Sequence, residues 1–267
     1  MPVMNVNHFS MYLRYGTDCT VILPEKIKED KKLPCLWLYH GGSGDHKAWL
    51  YHSPIVEIAE ERHIAVVLPN AHESCFVDMN FGDKYGSYMG KELPSMIHNM
   101  FPCISRERKD NYISGFSNGG YGCLHVGLSN PEKFGIIGAF SAGDKADSDF
   151  PNDGGAKSIA RIRLFGNGDL HNNKYGITYT AEQLIKKNVD KPVIYHACGG
   201  QDPWLKQNHI VRDYFISHKE FDYYYDEIPK LGHEWKFWNE ELVRFLDYVE
   251  EKGSIEESSI YERDKCK

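Results

Sequence analysis

The chain has 267 residues, of which 41% are hydrophobic and 26% charged, and its formal net charge is −7. That is the balance of a folded globular protein with a full core; it argues against disorder and gives no bulk electrostatic support to a nucleic-acid partner. No stretch approaches the ~20 consecutive apolar residues a membrane-spanning helix needs.

The opening MPVMNVNHFSMYLRYG lacks the basic segment and apolar run of a secretory signal. The seven cysteines, at 19, 35, 75, 103, 123, 198 and 266, are scattered and form no CxxC pair. They read as free thiols of a reducing cytoplasm.

From the N-terminus, FSMYLRYG and CTVILP alternate apolar and polar residues and predict a hairpin turning at Thr17 and Asp18. LPCLWLYH (33–40) is a nearly continuous apolar run, as expected of a strand covered on both faces. HIAVVLPN (63–70), DNYISGF (110–116), FGIIGAFSAG (134–143) and KPVIYHACGG (191–200) repeat that pattern, and FDYYYDEIP (221–229) is rich in β-favouring tyrosines. Helical patterns separate them. SPIVEIAEE (53–61) opens with a serine cap and a first-turn proline. GSYMGKELPSMIHNMF (86–101) is periodic but interrupted by Pro94. GGYGCLHVGLSNPEKF (119–134), TAEQLIKKN (180–188), LKQNHIVRDYFISH (205–218) and EWKFWNEELVRFLDYVEEK (234–252) complete the set. Strands alternating with helices predict an α/β fold: a mostly parallel central sheet with helices on both faces, in a single domain over 1–267. Residues 144–176 are polar, rich in Gly, Asn and Asp, and read as an irregular lid or pocket wall; a polar tail begins at about residue 253.

The chemistry centres on YISGFSNGGYG (112–122). Gly115-Phe116-Ser117-Asn118-Gly119 follows a strand and precedes a helix, the context of a nucleophile elbow, in which a strained turn lifts a serine hydroxyl out of the backbone. An ordinary glycine-rich loop is the plainer reading of those residues taken alone. A serine needs a base, and the α/β-hydrolase order is Ser, then Asp or Glu, then His. Of the downstream histidines, His125 lies inside a predicted helix, His196 inside a strand, and His209 and His218 on a helix. His233, in KLGHEWKFW after the last strand, is placed to reach back over the sheet edge as the base. Asp202, in CGGQDPW after the preceding strand, is placed to hold its tautomer, although alone it reads equally as a helix cap. YHGGSG (39–44) supplies a glycine turn whose N–H groups could bind an oxyanion; the expected donors are the N–H groups of Gly42 and of Asn118. His40 reads as structural.

With YHGGSGDHKAWL, VVLPNA, KELPSMI, YISGFSNGGYGCL, GGQD and GHEWKFW in order from about residue 35 to 245, the chain resembles the esterase D group of α/β-hydrolases, within it the tributyrin-esterase-like enzymes. The resemblance implies the α/β-hydrolase fold, hydrolysis of short-chain carboxylic esters without a cofactor, and Ser117, Asp202 and His233 as nucleophile, acid and base. The residue after the serine is often methionine in such enzymes and is Asn118 here, which makes the pocket floor more polar.

Rival readings within the fold are an S-formylglutathione hydrolase and a feruloyl or acetyl-sugar esterase, for which Trp49, Trp204, Trp235 and Trp238 could stack on a ring. A non-catalytic hydrolase-like binding protein is the rival from another class, and would be expected to lack a triad member. No HxH or HExxH occurs, and His40 and His46 make only a weak ligand pair, so no metal is expected. The expected partner is a small ester, with no nucleic acid or membrane; a homo-oligomer remains open.

Overall fold

The computed structural model describes residues 1–27, 31–145 and 155–253. Strands β1 (Val3–Phe9) and β2 (Gly16–Ile22) form an antiparallel hairpin. The hairpin stands where the sequence predicts one, but its first arm lies earlier: residues 10–15 are the turn, closed by Ser10 N–H to Tyr15 O and Arg14 N–H to Ser10 O. β1 is the sheet edge and buries only Val6, so it carries no apolar alternation to find. The turn is anchored from outside by Glu92, whose carboxylate accepts from Ser10 Oγ (2.6 Å), Met11 N (2.7 Å) and Tyr12 N (3.2 Å).

The remaining elements follow in order: β3 (Cys35–Tyr39), α1 (Ala48–His52), α2 (Ile55–Glu61), β4 (Ala65–Pro69), α3 (Tyr85–Ser87) running through a π turn (Tyr88–Glu92) into α4 (Leu93–Met100), and β5 (Asn111–Phe116). Then come α5 (Asn118–Ser129), β6 (Ile136–Phe140), α6 (Ala156–Phe165), α7 (Ile177–Lys187), β7 (Val193–Gly199), α8 (Leu205–Ser217), β8 (Tyr223–Ile228) and α9 (Trp235–Glu251). The eight strands form one sheet in the order β1-β2-β4-β3-β5-β6-β7-β8. β1, β2 and β4 pair antiparallel; every pairing from β4 through β8 is parallel.

The continuous apolar runs have the expected cause. Cys35, Trp37 and Tyr39 face one core with α4, α5 and α7, while Leu36 and Leu38 face a second core with α2 and α9. Both faces of β3, β4, β5 and β6 are therefore buried.

Three local expectations change. Ser53 does not cap α2: its hydroxyl bonds back to Trp49 O (2.5 Å), and Pro54 takes the cap position. Pro94 does not break its helix: it follows directly on the π turn, and the carbonyl its missing N–H leaves free, Gly90 O, accepts from Lys133 Nζ. Residues 144–176 are not wholly irregular, since among the described residues they contain α6 and a 3₁₀ turn (Leu170–Asn172). Leu164, Phe165, Leu170 and Tyr175 are buried there, so the segment has a core-facing side hidden among its polar residues. Residues 146–154 of that expected lid, and 254–267 of the expected tail, lie outside the described residues. No helix among the described residues is long and apolar enough to cross a membrane.

The parallel strands end on one edge of the sheet. From it come the loop after β3 carrying Gly42, the turn after β5 carrying Ser117, the loop after β7 carrying Asp202 and the loop after β8 carrying His233. Open parallel sheets place ligands at this edge.

Candidate active site

Ser117 sits between β5 and α5 at φ 55°, ψ −119°, a backbone conformation sparsely populated by non-glycine residues. The turn is pinned on both sides: Ser117 N–H donates to Phe140 O (2.9 Å) and Tyr121 N–H donates to Ser117 O (3.0 Å). The flanking glycines follow from crowding. A Cβ on Gly119 would stand 2.4 Å from His40 O, and one on Gly115 2.8 Å from Tyr39 O, both backbone atoms that cannot swing away. The N–H groups of the first turn of α5 lack intrahelical acceptors and carry the positive end of its dipole.

The structure brings the three predicted side chains into one hydrogen-bonded line. His233 Nε2 is 3.0 Å from Ser117 Oγ, and His233 Nδ1 is 2.8 Å from Asp202 Oδ2. A carboxylate only accepts, so Nδ1 carries the proton and Nε2 presents its lone pair to the serine hydroxyl. The two readings of Asp202 are both realised, on different oxygens: Oδ1 accepts from Trp204 N (2.8 Å) as a cap would, and Oδ2 takes the imidazole. The Asp202 carboxylate is fully buried. Burial alone would raise its pKa, but the hydrogen bond and charge of His233, the Trp204 N–H and the Ser141 hydroxyl outweigh it and hold the carboxyl below its usual range.

Sequence reasoning missed Ser141 and the second role of Trp238. Ser141, at φ 52° just past β6, donates to Asp202, and its oxygen accepts from Trp238 Nε1 (3.2 Å). Trp238 also stands edge-on to His233, with ring centroids 5.0 Å apart. The available signal was Ser141 at the carboxyl end of a buried strand.

The loop after β3 is fixed by His40 and Glu73. His40 donates from Nδ1 to Gly41 O (2.7 Å) and accepts Ala71 N–H at Nε2 (3.0 Å), the structural role expected of it. Burial lowers its pKa, which keeps this neutral tautomer. Ser43 N–H donates to the Glu73 carboxylate. Gly42 lies against Asn118, so the two residues expected to supply oxyanion donors are neighbours. Lys145 Nζ donates to Asn118 Oδ1 (2.8 Å), a contact that nothing in the sequence indicates.

The other histidines are engaged elsewhere. His125 is buried in α5, stacked on Tyr121, and burial lowers its pKa to about 4. His196 bridges Asn208 Oδ1 (2.9 Å) and Tyr223 Oη (2.7 Å), and burial lowers it likewise to about 4. His209 pairs with Glu227, His218 with Tyr214 O, and His46 with Thr20. His40 and His46 thus face different partners, and no group of three or more His, Cys, Asp or Glu among the described residues could hold a metal ion. Of the four tryptophans expected near the site, Trp49 and Trp238 are core residues, Trp235 packs between Trp49 and His52, and Trp204 alone is substantially exposed, at 44%.

The sequence model of the family described as putative esterase matches residues 10–248. An acetyl esterase of Caldicellulosiruptor saccharolyticus is 29% identical over 265 residues, covering 93% of this chain and 98% of that protein. Among solved structures, the fluorophosphonate-binding serine hydrolase F of Staphylococcus aureus superposes with a TM-score of 0.83 at 25% identity, covering 93% of this chain and 98% of that one. An S-formylglutathione hydrolase of the same organism gives a TM-score of 0.80 at 26% identity, with the same coverage. A ferulic acid esterase shares the fold, with a TM-score of 0.75 at 22% identity over 93% of this chain and 97% of that one.

Proposed function

This chain belongs to the putative esterase family, has the α/β-hydrolase fold and is a serine esterase; we propose that it hydrolyses short-chain acyl esters through an acyl-enzyme on Ser117. The observation that carries this reading is the continuous hydrogen-bonded line from Ser117 Oγ through His233 to Asp202. As the hydroxyl attacks the ester carbonyl, His233 Nε2 takes its proton, and Asp202 stabilises the imidazolium that results. The negative oxygen of the tetrahedral intermediate is bound by the N–H groups of Gly42 and Asn118. His233 then protonates the leaving alcohol, and water, activated by the same imidazole, releases the acid.

Short acyl chains are favoured by what surrounds Ser117. Trp49 and Trp238 are committed to the core with Phe116, which leaves little apolar wall for a long chain, and Asn118 and Lys145 make the adjoining floor polar. The described residues of 144–176 serve as a wall of the pocket: Asp144 caps α7 through Ile177 N (2.8 Å), and Phe165 packs on Tyr121, one helical turn past the nucleophile. The likeness to an acetyl esterase points the same way.

Fluorophosphonate labelling followed by peptide mapping tests the assignment, with a single adduct expected on Ser117. Ser117→Ala, folded, should lower kcat by about 10⁴ or more. On p-nitrophenyl esters from acetyl to dodecanoyl, kcat/KM should peak between acetyl and butyryl. A specificity that keeps climbing past octanoyl overturns the short-chain reading. Slow turnover of all simple esters with fast S-formylglutathione cleavage replaces it with thioester hydrolysis.

A further inference from the structure

The residue after the nucleophile is expected to contribute only its backbone N–H, yet the Asn118 side chain is held in one orientation. Lys145 Nζ lies 2.8 Å from one end of its carboxamide. An ammonium group has hydrogens to donate and no lone pair to accept with, so the end facing Lys145 is the carbonyl Oδ1. The NH₂ end is thereby turned the opposite way, toward Gly42: Nδ2 stands 2.9 Å from the point a Cβ on Gly42 would occupy. Glu73 fixes the far side of that loop through Ser43 N–H. Asn118 is half-buried, and its Nδ2 donates to no acceptor among the described residues. A polar donor oriented by a charged group, placed between the two segments that carry the oxyanion donors and left without an acceptor among the described residues, is a donor kept for something that arrives in the cleft.

We propose that the Asn118 side-chain amide is a third hydrogen-bond donor to the acyl carbonyl oxygen, and that Lys145 is the positioning residue that keeps its NH₂ turned toward the cleft. This inference rests on the proposed acylation of Ser117. In the ester the carbonyl oxygen is a neutral acceptor; in the tetrahedral intermediate it carries a full negative charge, and a preoriented amide donor bonds more strongly to the second than to the first. The interaction therefore belongs to the transition state and should appear in kcat rather than KM. The Lys145 charge, one hydrogen bond behind the amide, polarises it in the helpful direction.

The test measures kcat and KM on p-nitrophenyl acetate, together with the affinity for a trifluoromethyl ketone that forms a tetrahedral adduct. Asn118→Leu removes the donor, and Asn118→Asp keeps the shape and the contact with Lys145 while presenting no N–H. Both should lower kcat by about 10²-fold, in the range for loss of one oxyanion donor, with KM little changed and ketone affinity falling in parallel. Lys145→Met should give a smaller loss of the same kind, Lys145→Arg should restore most of it, and Lys145→Met should add nothing in the Asn118→Leu background. A merely structural contact would not produce that rescue and non-additivity. Wild-type kcat and ketone affinity in either Asn118 variant overturn the proposal, as does additivity of the two sites. Fluorophosphonate labelling separates the failures: a wild type unlabelled at Ser117 sinks the acyl-enzyme reading and this inference with it, whereas labelled Ser117 with an unimpaired Asn118→Leu enzyme sinks this inference alone.

Discussion

At the scale of single residues, the site depends on one carboxylate serving several donors. Asp202 accepts from His233, Trp204 N–H and Ser141, and these bonds keep it ionised despite full burial. Replacing it by asparagine preserves the shape but offers an NH₂ where Nδ1–H must donate, which favours the wrong imidazole tautomer. Asp202→Asn should therefore keep its far-ultraviolet circular dichroism and lose about 10⁴ in kcat. Ser141→Ala leaves the other two donors in place and should cost only about tenfold, an effect on the order of a single hydrogen bond to a charged group. A Ser141→Ala loss as large as that of Asp202→Asn would mean that the serine does more than brace the carboxylate. Because the Asp202 pKa is depressed in the fold, its contribution to stability is present above the unfolded carboxylate range and is lost as pH falls through the folded value.

At the scale of elements, the elbow works because β3, β5 and α5 come unusually close. The space over Gly119 is closed by His40 O, which belongs to the same loop as Gly42. Gly119→Ala forces α5 and the loop after β3 apart, so it should disturb stability and the oxyanion site together. A loss of about 1 to 3 kcal/mol in urea unfolding is expected from overpacking of this kind, accompanied by a fall in kcat. An alanine variant with wild-type stability and activity would show that the close approach is not required. The π turn ahead of α4 has a comparable local reason: it brings Glu92 to the β1–β2 turn, where its carboxylate receives three donors.

For the whole molecule, three buried titratable groups shape the pH dependence of stability between about pH 4 and 7. His125 and His196 have folded pKa values lowered by burial to about 4 from 6.5. The unfolded chain binds those protons first, so stability is full above the unfolded histidine value and falls as pH drops from about 6.5 toward 4, by roughly 3 kcal/mol per histidine at most. Glu241 in α9 behaves in the opposite sense. Burial raises it to about 7, against the lowering effect of the Tyr195 hydroxyl, which donates to its Oε2 (2.7 Å). A carboxyl raised in the fold is stabilising below its unfolded value and loses that contribution as pH climbs through about 7. The two windows overlap, so stability in urea unfolding should rise from about pH 4 and level off above about pH 7, with the Glu241 loss offsetting part of the histidine gain. Glu241→Gln, which keeps the Tyr195 hydrogen bond without the charge, should steepen the rise between pH 4.5 and about 7 and leave the plateau above it flat. Parallel rises for the two proteins would remove Glu241 as a contributor.

The sequence alone indicated the strands from β3 to β8 and most helices between them, the mostly parallel sheet, the turn carrying Ser117, and Asp202 and His233 as the residues placed to join it. Each rests on information local in the chain: continuous apolar runs mark strands buried on both faces, glycines mark the tight turn, and a loop after a strand marks the active edge. The edge strand β1 escaped because only Val6 is buried on it, and α6 escaped because its apolar residues are spread among charges and glycines flank it on both sides. Tertiary structure alone decided that Ser141 and Trp238 support Asp202, that Trp49 and Trp238 belong to the core rather than to a sugar platform, and that Lys145 orients Asn118. These contacts join residues distant in the chain through the crossing of separate βα loops. No spacing or periodicity encodes such a meeting, because it depends on how far each loop reaches over the sheet and on which side chains then find an acceptor.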